Sequence, residues 1–203
     1  MTVYFHGSFG LRREYLAGVL SRGLKHPRAN DAALAKPFGY GAPFAAKYRS
    51  WLHKVGLVER GSPIRLAPSG KVVVKQDPTL ESSVTQWWLH DELTTDPIRA
   101  EAWHYFVKKF LPHNREFTKQ ELLDSLTEKL SEHSVKHFGP GSALTRTIVR
   151  KLLECYSEDY ALGELGVIHV VPGGFRRGDT KGRPGPWRSP EDLVSAYRKR
   201  RGG

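Results

Sequence analysis

The sequence predicts a mainly α-helical protein with short β wings, made of an N-terminal winged-helix domain and a helical C-terminal domain. First, apolar residues recur at helical spacing through most of the 203 residues. Second, two short extended runs, residues 57–59 and 64–66, follow three predicted helices, as a wing follows a helix-turn-helix. Third, the apolar run 166–171 is bounded by Gly and Pro, which is typical of a strand.

Two helices are predicted before the central helix of the first domain. A turn at residues 5–9 leads into a helix over 11–24, which ends before Pro27. Either Asn30 or Asp31 can then cap a short helix over residues 32–36 by accepting a backbone N–H. This short helix and the one that follows it form the predicted helix-turn-helix.

The central helix is predicted between Pro43 and Gly56. Pro43 is tolerated in a first turn, where its missing N–H has no partner, and Gly56 supplies a left-handed cap. One face of the helix is apolar and carries Phe44, Tyr48, Trp51, Leu52 and Val55. Because cationic and hydroxyl side chains occupy the other positions, this helix can enter a DNA major groove. The alternative is an ordinary solvated helix.

The second half of the chain is predicted to be helical. Its helices start near Ser83, Asp96, Thr118 and Ser142. Thr118 and Glu121 have the spacing of a capping box, and Ile98 is placed on the apolar side of its helix. The order helix, turn, basic helix, strand recurs at residues 118–171, so this segment is a candidate second winged helix with its own helix-turn-helix. Residues 72–74 fit either a strand or the start of a helix.

The distribution of charge divides the chain into three predicted segments. Residues 1–76, the winged-helix domain, hold 13 Lys/Arg and 3 Asp/Glu, and residues 77–172, the helical domain, hold 10 and 15. Residues 173–203 hold 9 and 3, and form a Gly-, Pro- and Arg-rich tail with a short helix from Ser189. Basic ends around an acidic middle predict that the ends hold a polyanion, within a total net charge of +11. Residues 198–201 either grip phosphates or lie in solvent.

The composition argues against several other classes of protein. An apolar content of 39% with 5 Trp supports a packed core rather than disorder. No apolar run approaches the roughly 20 residues that span a bilayer. The N-terminus lacks the features of a signal peptide, so a cytoplasmic protein is expected. The single cysteine, Cys155, excludes an internal disulfide and a cysteine-cluster metal site, and its apolar surroundings predict a buried structural thiol.

The predicted footprint on double-stranded DNA consists of cations and one hydroxyl in the first domain. It comprises Lys47, Arg49, Ser50, Lys54, Arg65, Lys71 and Arg13. If these side chains contact phosphates, affinity falls with salt, with a log–log slope of about −0.9 per contact. Because helix-turn-helix proteins often bind DNA as dimers, a homodimer is a further expectation.

Two clusters are candidates for strand cleavage. Hydrolysis of a phosphodiester needs an activated water and charge relief, usually from a divalent metal such as Mg²⁺ or Mn²⁺ held by carboxylates. One cluster is His6, Arg12 and Glu14, with His6 as base and Arg12 on the phosphate. The other is His90, Asp91 and Glu92, with His90 catalytic and the two carboxylates on the metal. The structural alternatives are a histidine that fixes a turn, a Glu14–arginine pair and a core histidine at position 90.

Several ordered motifs carry a resemblance to a known family. They are FHGSF with LRRE, AKPFGYGAPFAAKYRSWLHKVGLVE, RLAPSGK, QWWLHDEL and FTKQELLDSL. Over residues 4–165 the chain resembles the bacterial family of unknown-function domains encoded beside DNA phosphorothioation genes. The best-described branch of that family is SspB, the proposed nicking component. Many relatives have His-Glu-Thr-Phe where this chain has His6-Gly7-Ser8-Phe9, so a glutamate that could bind a metal is absent here.

The resemblance implies a cytoplasmic, nucleoid-associated protein that acts on duplex DNA. A nick would prepare the strand for insertion of sulfur by a partner complex of a cysteine desulfurase, an ATPase and a phosphoadenosine-phosphosulfate-reductase-like enzyme. The alternatives are a non-catalytic winged-helix subunit or transcriptional regulator that binds DNA, and an adaptor whose acidic middle docks a partner protein.

Overall fold

The computed structural model describes residues 3–180, 183–185 and 187–201. It is mainly helical and has one small antiparallel sheet, which confirms the predicted fold class at that level. Residues 5–92 and the described part of 181–203 form one compact unit, here called the terminal unit. Residues 3–4 and 93–180 form the other, here called the central unit. The domain boundaries predicted after residues 76 and 172 stay predictions.

The helices and strands have the following bounds in chain order. The α-helices are α1 (Arg13–Lys25), α2 (Asp31–Ala35), α3 (Ala42–Lys54), α4 (Pro68–Gln76), α5 (Ser83–Thr94), α6 (Glu101–Tyr105), α7 (Leu111–His113), α8 (Lys119–Ser131), α9 (Val135–Phe138), α10 (Ala143–Ser157) and α11 (Pro190–Arg201). A π-helical turn, Phe106–Phe110, joins α6 to α7, and short 3₁₀ turns cover Lys36–Phe38 and Gly163–Leu165. The strands are β1 (Glu116–Phe117), β2 (Ile168–Val171) and β3 (Gly174–Arg177).

The first three helices of the terminal unit form as predicted. Asn30 caps α2 by accepting the Ala33 N–H at 2.9 Å, which decides between the two candidate caps. Pro43 lies in the first turn of α3, and Gly56 follows the helix with a left-handed φ of 68°. Trp51 and the rest of the apolar face of α3 are buried, so α3 is anchored in the core.

A minimal hairpin and α4 follow α3. The only ladder contact within residues 57–67 is the isolated bridge between Val58 and Leu66. Residues 72–74 lie inside α4, which settles that alternative in favour of a helix. Gly70 of α4 packs so closely on the hairpin that a Cβ atom there would lie 2.8 Å from the carbonyl carbon of Leu57. The winged-helix assignment of this region stays a prediction.

The C-terminal helix α11 packs against α4 in the terminal unit. Leu193 and Tyr197 are its buried residues. The Asp77 carboxylate, which follows α4, accepts hydrogen bonds from the Thr85 hydroxyl and from the Ser82 N–H, the latter at 2.8 Å. The predicted helix after Ser189 is therefore confirmed, and it is part of the same unit as α1–α4.

The sheet of the central unit has the strand order β1-β3-β2. β3 pairs antiparallel with both neighbours, with Phe175 opposite Phe117 on β1 and opposite Val170 on β2. β2 lies within the predicted run 166–171, whereas β3 lies in a segment predicted to be a loop.

The predicted capping box at the start of α8 is confirmed. The Glu121 carboxylate accepts a hydrogen bond from the Thr118 N–H at 2.6 Å, and the Glu121 N–H donates to the Thr118 hydroxyl.

The helix predicted to begin at Asp96 begins instead at Glu101. Asp96 accepts the Ile98 N–H at 2.8 Å, which stabilises a separate turn ahead of the helix. Ile98 is 76% exposed, so its placement on the apolar side of that helix was wrong. Cys155 is buried in α10, as predicted. Among the described residues, no helix is both long and apolar enough to cross a membrane.

Candidate nucleic-acid interface

The net charge of the chain resides in the terminal unit. Residues 5–92 and 181–203 contain 20 Lys/Arg and 9 Asp/Glu, whereas residues 1–4 and 93–180 contain 12 of each. The terminal unit therefore carries +11 and the central unit zero. Residues 5–76 and 181–203, which make up most of the two basic ends, belong to this one unit, so long-range attraction to a polyanion acts on it.

Residues 5–10 lie across one side of α3. The indole N–H of Trp51 donates to the Phe9 carbonyl oxygen at 3.0 Å, and the hydroxyl of Tyr48 donates to the Gly10 carbonyl oxygen at 2.9 Å. The ring of Phe5 packs edge-on against Trp51 at 4.7 Å between centroids. The amino-terminal turn is thus built onto the helix that was predicted to read DNA.

The polar side chains of α3 are all partly covered. A Cβ atom on Gly7 would lie 3.0 Å from Cε of Lys47, so the stem of this lysine runs along the amino-terminal turn. The ammonium of Lys54 lies 5.6 Å from the centroid of the Phe5 ring. Arg49 forms an ion pair with Asp31 of α2 at 2.8 Å. Ser50 donates its hydroxyl to the Ala46 carbonyl oxygen at 3.3 Å.

The remaining residues of the predicted footprint differ in exposure. Arg13 is buried at the start of α1, with 8% of its surface exposed. Arg65 on the hairpin and Lys71 on α4 are exposed, and Arg65 pairs with exposed Glu59 at 3.3 Å. An exposed pair of this kind contributes little to stability and is easily exchanged for a phosphate. The footprint stays a prediction, and Arg65 and Lys71 are its most accessible members.

Further exposed cations lie on α4 and α11, which pack together. Lys75 follows Lys71 by one helical turn, so the two are neighbours on the surface of α4. Arg198, Lys199 and Arg200 are exposed on α11. The i, i+4 lysine spacing and the charge of the tail were visible in the sequence, but the packing of α11 on α4 was not.

The residues of the first candidate catalytic cluster differ in burial. His6 is fully buried, with the Phe5 ring centroid at 5.5 Å and the Trp51 ring centroid at 6.1 Å. Arg12 and Glu14 are exposed at the start of α1, where the Arg12 guanidinium lies 5.7 Å from the Tyr15 ring. A buried imidazole cannot reach a DNA phosphate unless the amino-terminal turn opens, and the catalytic role of these residues stays a prediction.

The second candidate cluster contacts the basic tail through Arg183. His90 is 2% exposed and lies edge-on to Trp87 at 5.4 Å. Asp91 forms an ion pair with Arg183, and the guanidinium of Arg183 lies 5.4 Å from the Trp87 ring. Burial lowers the pKa of Arg183 from its ordinary value. Glu92, the other predicted metal ligand, is half-buried.

The described residues do not fit the predicted metal site. Within residues 3–180, 183–185 and 187–201, no three His, Cys, Asp or Glu side chains are grouped so that they could hold a metal ion. The carboxylate of Asp91 is neutralised by Arg183. The divalent metal therefore stays a prediction, and no chemical step is derived through it.

The central unit presents its own cations on α10. Arg146 and Arg150 are exposed one helical turn apart. The Glu154 carboxylate accepts a hydrogen bond from the ammonium of Lys151 at 2.6 Å and lies 4.0 Å from the guanidinium of Arg150. The exposed side of α10 is thus basic at its amino-terminal half and neutralised further along.

Comparison with known proteins gives one family and one fold. The family model described as "Protein of unknown function (DUF4007)" matches residues 5–164. No curated protein matches the chain. The fold is similar to the "SspB crystal structure", with a TM-score of 0.65 and 19% identity, and to the "Magnesium ion-bound SspB crystal structure", with 0.61 and 16%. Both likenesses cover 90% of this chain and 61% of the other, so the chain spans about three fifths of those SspB chains.

Proposed function

We propose that this chain, a member of the DUF4007 family of proteins of unknown function, is a DNA-binding protein of a bacterial DNA phosphorothioation system. The observation that carries the proposal is the concentration of the whole net charge, +11, in the terminal unit. A surface of that charge attracts the phosphate backbone of DNA and binds it in exchange for released counterions. The assignment to a phosphorothioation system rests on the resemblance to SspB.

The proposed contacts are mainly to phosphates. Arg65, Lys71 and Lys75 are exposed on the hairpin and α4, and the cations of α11 extend the same unit. Contacts of this kind fix the position of the duplex without reading its sequence. Lys47, Arg49, Ser50, Lys54 and Arg13 complete the proposed footprint.

Reading of the major groove by α3 is the finer proposal for this unit. It requires residues 5–10 to move, because they cover the side of α3 that carries Lys47 and Lys54. In the central unit, the helix and strand order α6–α7–β1–α8–α9–α10–β2–β3 and the sheet order β1-β3-β2 support a winged helix with α10 as its reading helix. Arg146 and Arg150 would then face the DNA.

The proposed partners are the proteins that the family resemblance implies, namely a cysteine desulfurase, an ATPase and a reductase-like enzyme. The proposed location is the bacterial cytoplasm, at the nucleoid. The central unit carries no net charge, so only its local basic side on α10 is proposed to meet DNA, and the rest of this unit is proposed to dock one of these proteins. A homodimer on DNA is part of the same proposal.

Strand nicking is the second candidate function. Its support is the magnesium ion bound in one of the similar SspB structures. Because the described residues of this chain offer no grouped metal ligands, we propose nicking only together with ligands supplied from elsewhere. The test is incubation of supercoiled plasmid with the full chain and a series of divalent ions, with and without the proposed partner proteins. Conversion to open circle supports nicking, and its absence under every condition leaves a DNA-binding protein.

The binding proposal is tested by electrophoresis of a labelled duplex with the full chain at low salt. We expect a retarded complex that disappears as salt is raised. A duplex that stays free at low salt and micromolar protein would exclude the proposed function, and retention of a partner protein at high salt would then favour the adaptor.

A further inference from the structure

A groove of about 780 Å³ lies within the terminal unit, where residues at the start of α5 and along α11 face Pro184, Gly185 and Trp187. Its lining includes Trp87, Trp187, Ser83, Ser195, Lys199 and Arg200. The volume is within the range of about 300–1,000 Å³ that is usual for small-ligand sites. Neither the footprint nor the candidate catalytic clusters include this groove.

Of the two tryptophans among the described lining residues, one presents an accessible ring. Trp87 is 8% exposed, and the guanidinium of Arg183 lies over its ring, 5.4 Å from the ring centroid. The Trp87 ring is therefore not available for stacking and forms the bottom of the groove. Trp187 is partly exposed. An indole ring is a platform on which any nucleobase stacks, because every base has a π-face.

The charged side of the groove suits a phosphate. Lys199 and Arg200 are exposed successive cations at its α11 side. Asp192, a carboxylate among the described residues of the lining, accepts hydrogen bonds from the backbone N–H groups of Arg188 at 2.8 Å and Ser189 at 3.1 Å. These bonds hold Asp192 at the start of α11, where it keeps its charge, and the lining still carries two cations against this carboxylate.

We propose that this groove binds an unpaired nucleotide of a DNA strand, with its base on Trp187 and its phosphate on Lys199 and Arg200. The proposal rests on the proposed function and deepens it, because it names the form of DNA that the terminal unit would hold at this groove. A free nucleotide has the same chemistry. A strand is favoured because the cations of α11 continue beyond the groove, at Arg198, and because the sequence contains no phosphate-binding G-x-x-x-x-G-K-[ST] loop.

The test compares a labelled oligo(dT) single strand with a duplex of equal length, using the full chain and fluorescence anisotropy. Trp187→Ala is expected to weaken single-strand binding about 5-fold or more, the lower limit for loss of one stacked base, and to change duplex binding less than 2-fold. Lys199→Ala combined with Arg200→Ala is expected to weaken single-strand binding and to reduce its salt dependence. The matched control is Lys25→Ala, an exposed cation of the same unit that does not line the groove.

A second variant separates stacking from a loss of folding. Trp187→Phe keeps an aromatic ring, so it is expected to keep most of the single-strand affinity. Because the stacked indole is gone, oligo(dT) should quench the tryptophan fluorescence of this variant less than that of the wild type. Thermal unfolding of each variant identifies any that fail to fold.

Three results would overturn the groove proposal. They are a Trp187→Ala effect on single strands no larger than that of Lys25→Ala, full quenching in Trp187→Phe, and thymidine monophosphate binding as tightly as oligo(dT). In each of these cases retention of the duplex would leave the proposed function standing. Failure of the wild-type chain to bind either form of DNA would reject both proposals.

Discussion

The hydroxyl oxygens of Thr85 and Tyr197 lie 2.6 Å apart, although 112 residues separate them in the chain. Thr85 also donates to the carboxylate of Asp77, so one buried cluster joins the end of α4, the start of α5 and α11. This contact holds the basic tail helix in the same unit as the basic amino-terminal helices. The basic residues of α11 therefore count toward the charge of the terminal unit.

Tyr197→Phe is expected to destabilise the protein by about 0.5–1.5 kcal/mol, since it removes one hydrogen bond from a buried cluster but keeps the ring. Urea unfolding measures the change. Ser195→Ala on the same helix is the control, because its exposed hydroxyl bonds only to the Glu191 carbonyl oxygen, at 3.0 Å, among the described contacts. Equal stability of wild type and Tyr197→Phe would mean that the cluster does not secure α11.

Gly70→Ala is expected to destabilise the protein by about 2 kcal/mol or more, because the new methyl group would meet the backbone of Leu57, which cannot turn aside as a side chain can. The matched control is Gly41→Ala, where the nearest heavy atom to the new Cβ is Cδ of Pro43 at 3.7 Å. Thermal unfolding compares the two. Similar midpoints would contradict the close packing of α4 on the hairpin.

Cys155 is expected to be inert to thiol reagents in the folded protein at pH 8 and to react fully in denaturant. Burial raises the pKa of its thiol to about 12, while a hydrogen bond with Trp103 lowers it in part. Absorbance after addition of an aromatic disulfide measures the reaction. Rapid modification of the native chain would show that α10 is not packed as described.

The same thiol predicts a dependence of stability on pH. Because its folded pKa lies above the ordinary value of 9.0, the unfolded chain loses the proton first. The corresponding stabilisation is complete below about pH 9 and is lost as the pH rises towards about 12. Cys155→Ala should lack this part of the decline between those limits, and an identical decline in both proteins would disprove it.

Lys47→Ala combined with Lys54→Ala is expected to reduce the slope of log affinity against log salt by less than the roughly 1.8 that two full phosphate contacts give. Both stems are engaged by residues 5–10, so their charges are less available to DNA. The measurement is a salt titration of duplex binding. A loss of about 1.8 would show that α3 meets the backbone fully, and no loss would remove both lysines from the footprint.

Local chemistry made much of the fold predictable. The cap at Asn30, the capping box at Thr118 and the Pro43–Gly56 limits of α3 each depend on residues within a few positions of one another. β3 was missed because its Gly-Phe-Arg-Arg sequence has little strand pattern of its own and gains its structure from pairing with β1 and β2.

The candidate site was less predictable for the same reason. The charge of each segment is a property of the sequence, but its assignment to one unit needs the docking of α11. The coverage of α3 depends on bonds such as Trp51 to Phe9, between residues 42 positions apart. Helical periodicity marks the polar side of α3 correctly but cannot show what lies on it.

The most direct measurement is the salt dependence of duplex binding by two triple variants of the full chain with equal loss of charge. One carries Arg65→Ala, Lys71→Ala and Lys75→Ala in the terminal unit, and the other carries Lys108→Ala, Lys109→Ala and Lys119→Ala, which are exposed in the central unit. We predict that the first reduces the log–log slope by about 2.7, at about 0.9 for each phosphate contact, and that the second leaves it unchanged. Equal slopes for the first variant and wild type, or a loss confined to the second, would contradict DNA binding by the terminal unit.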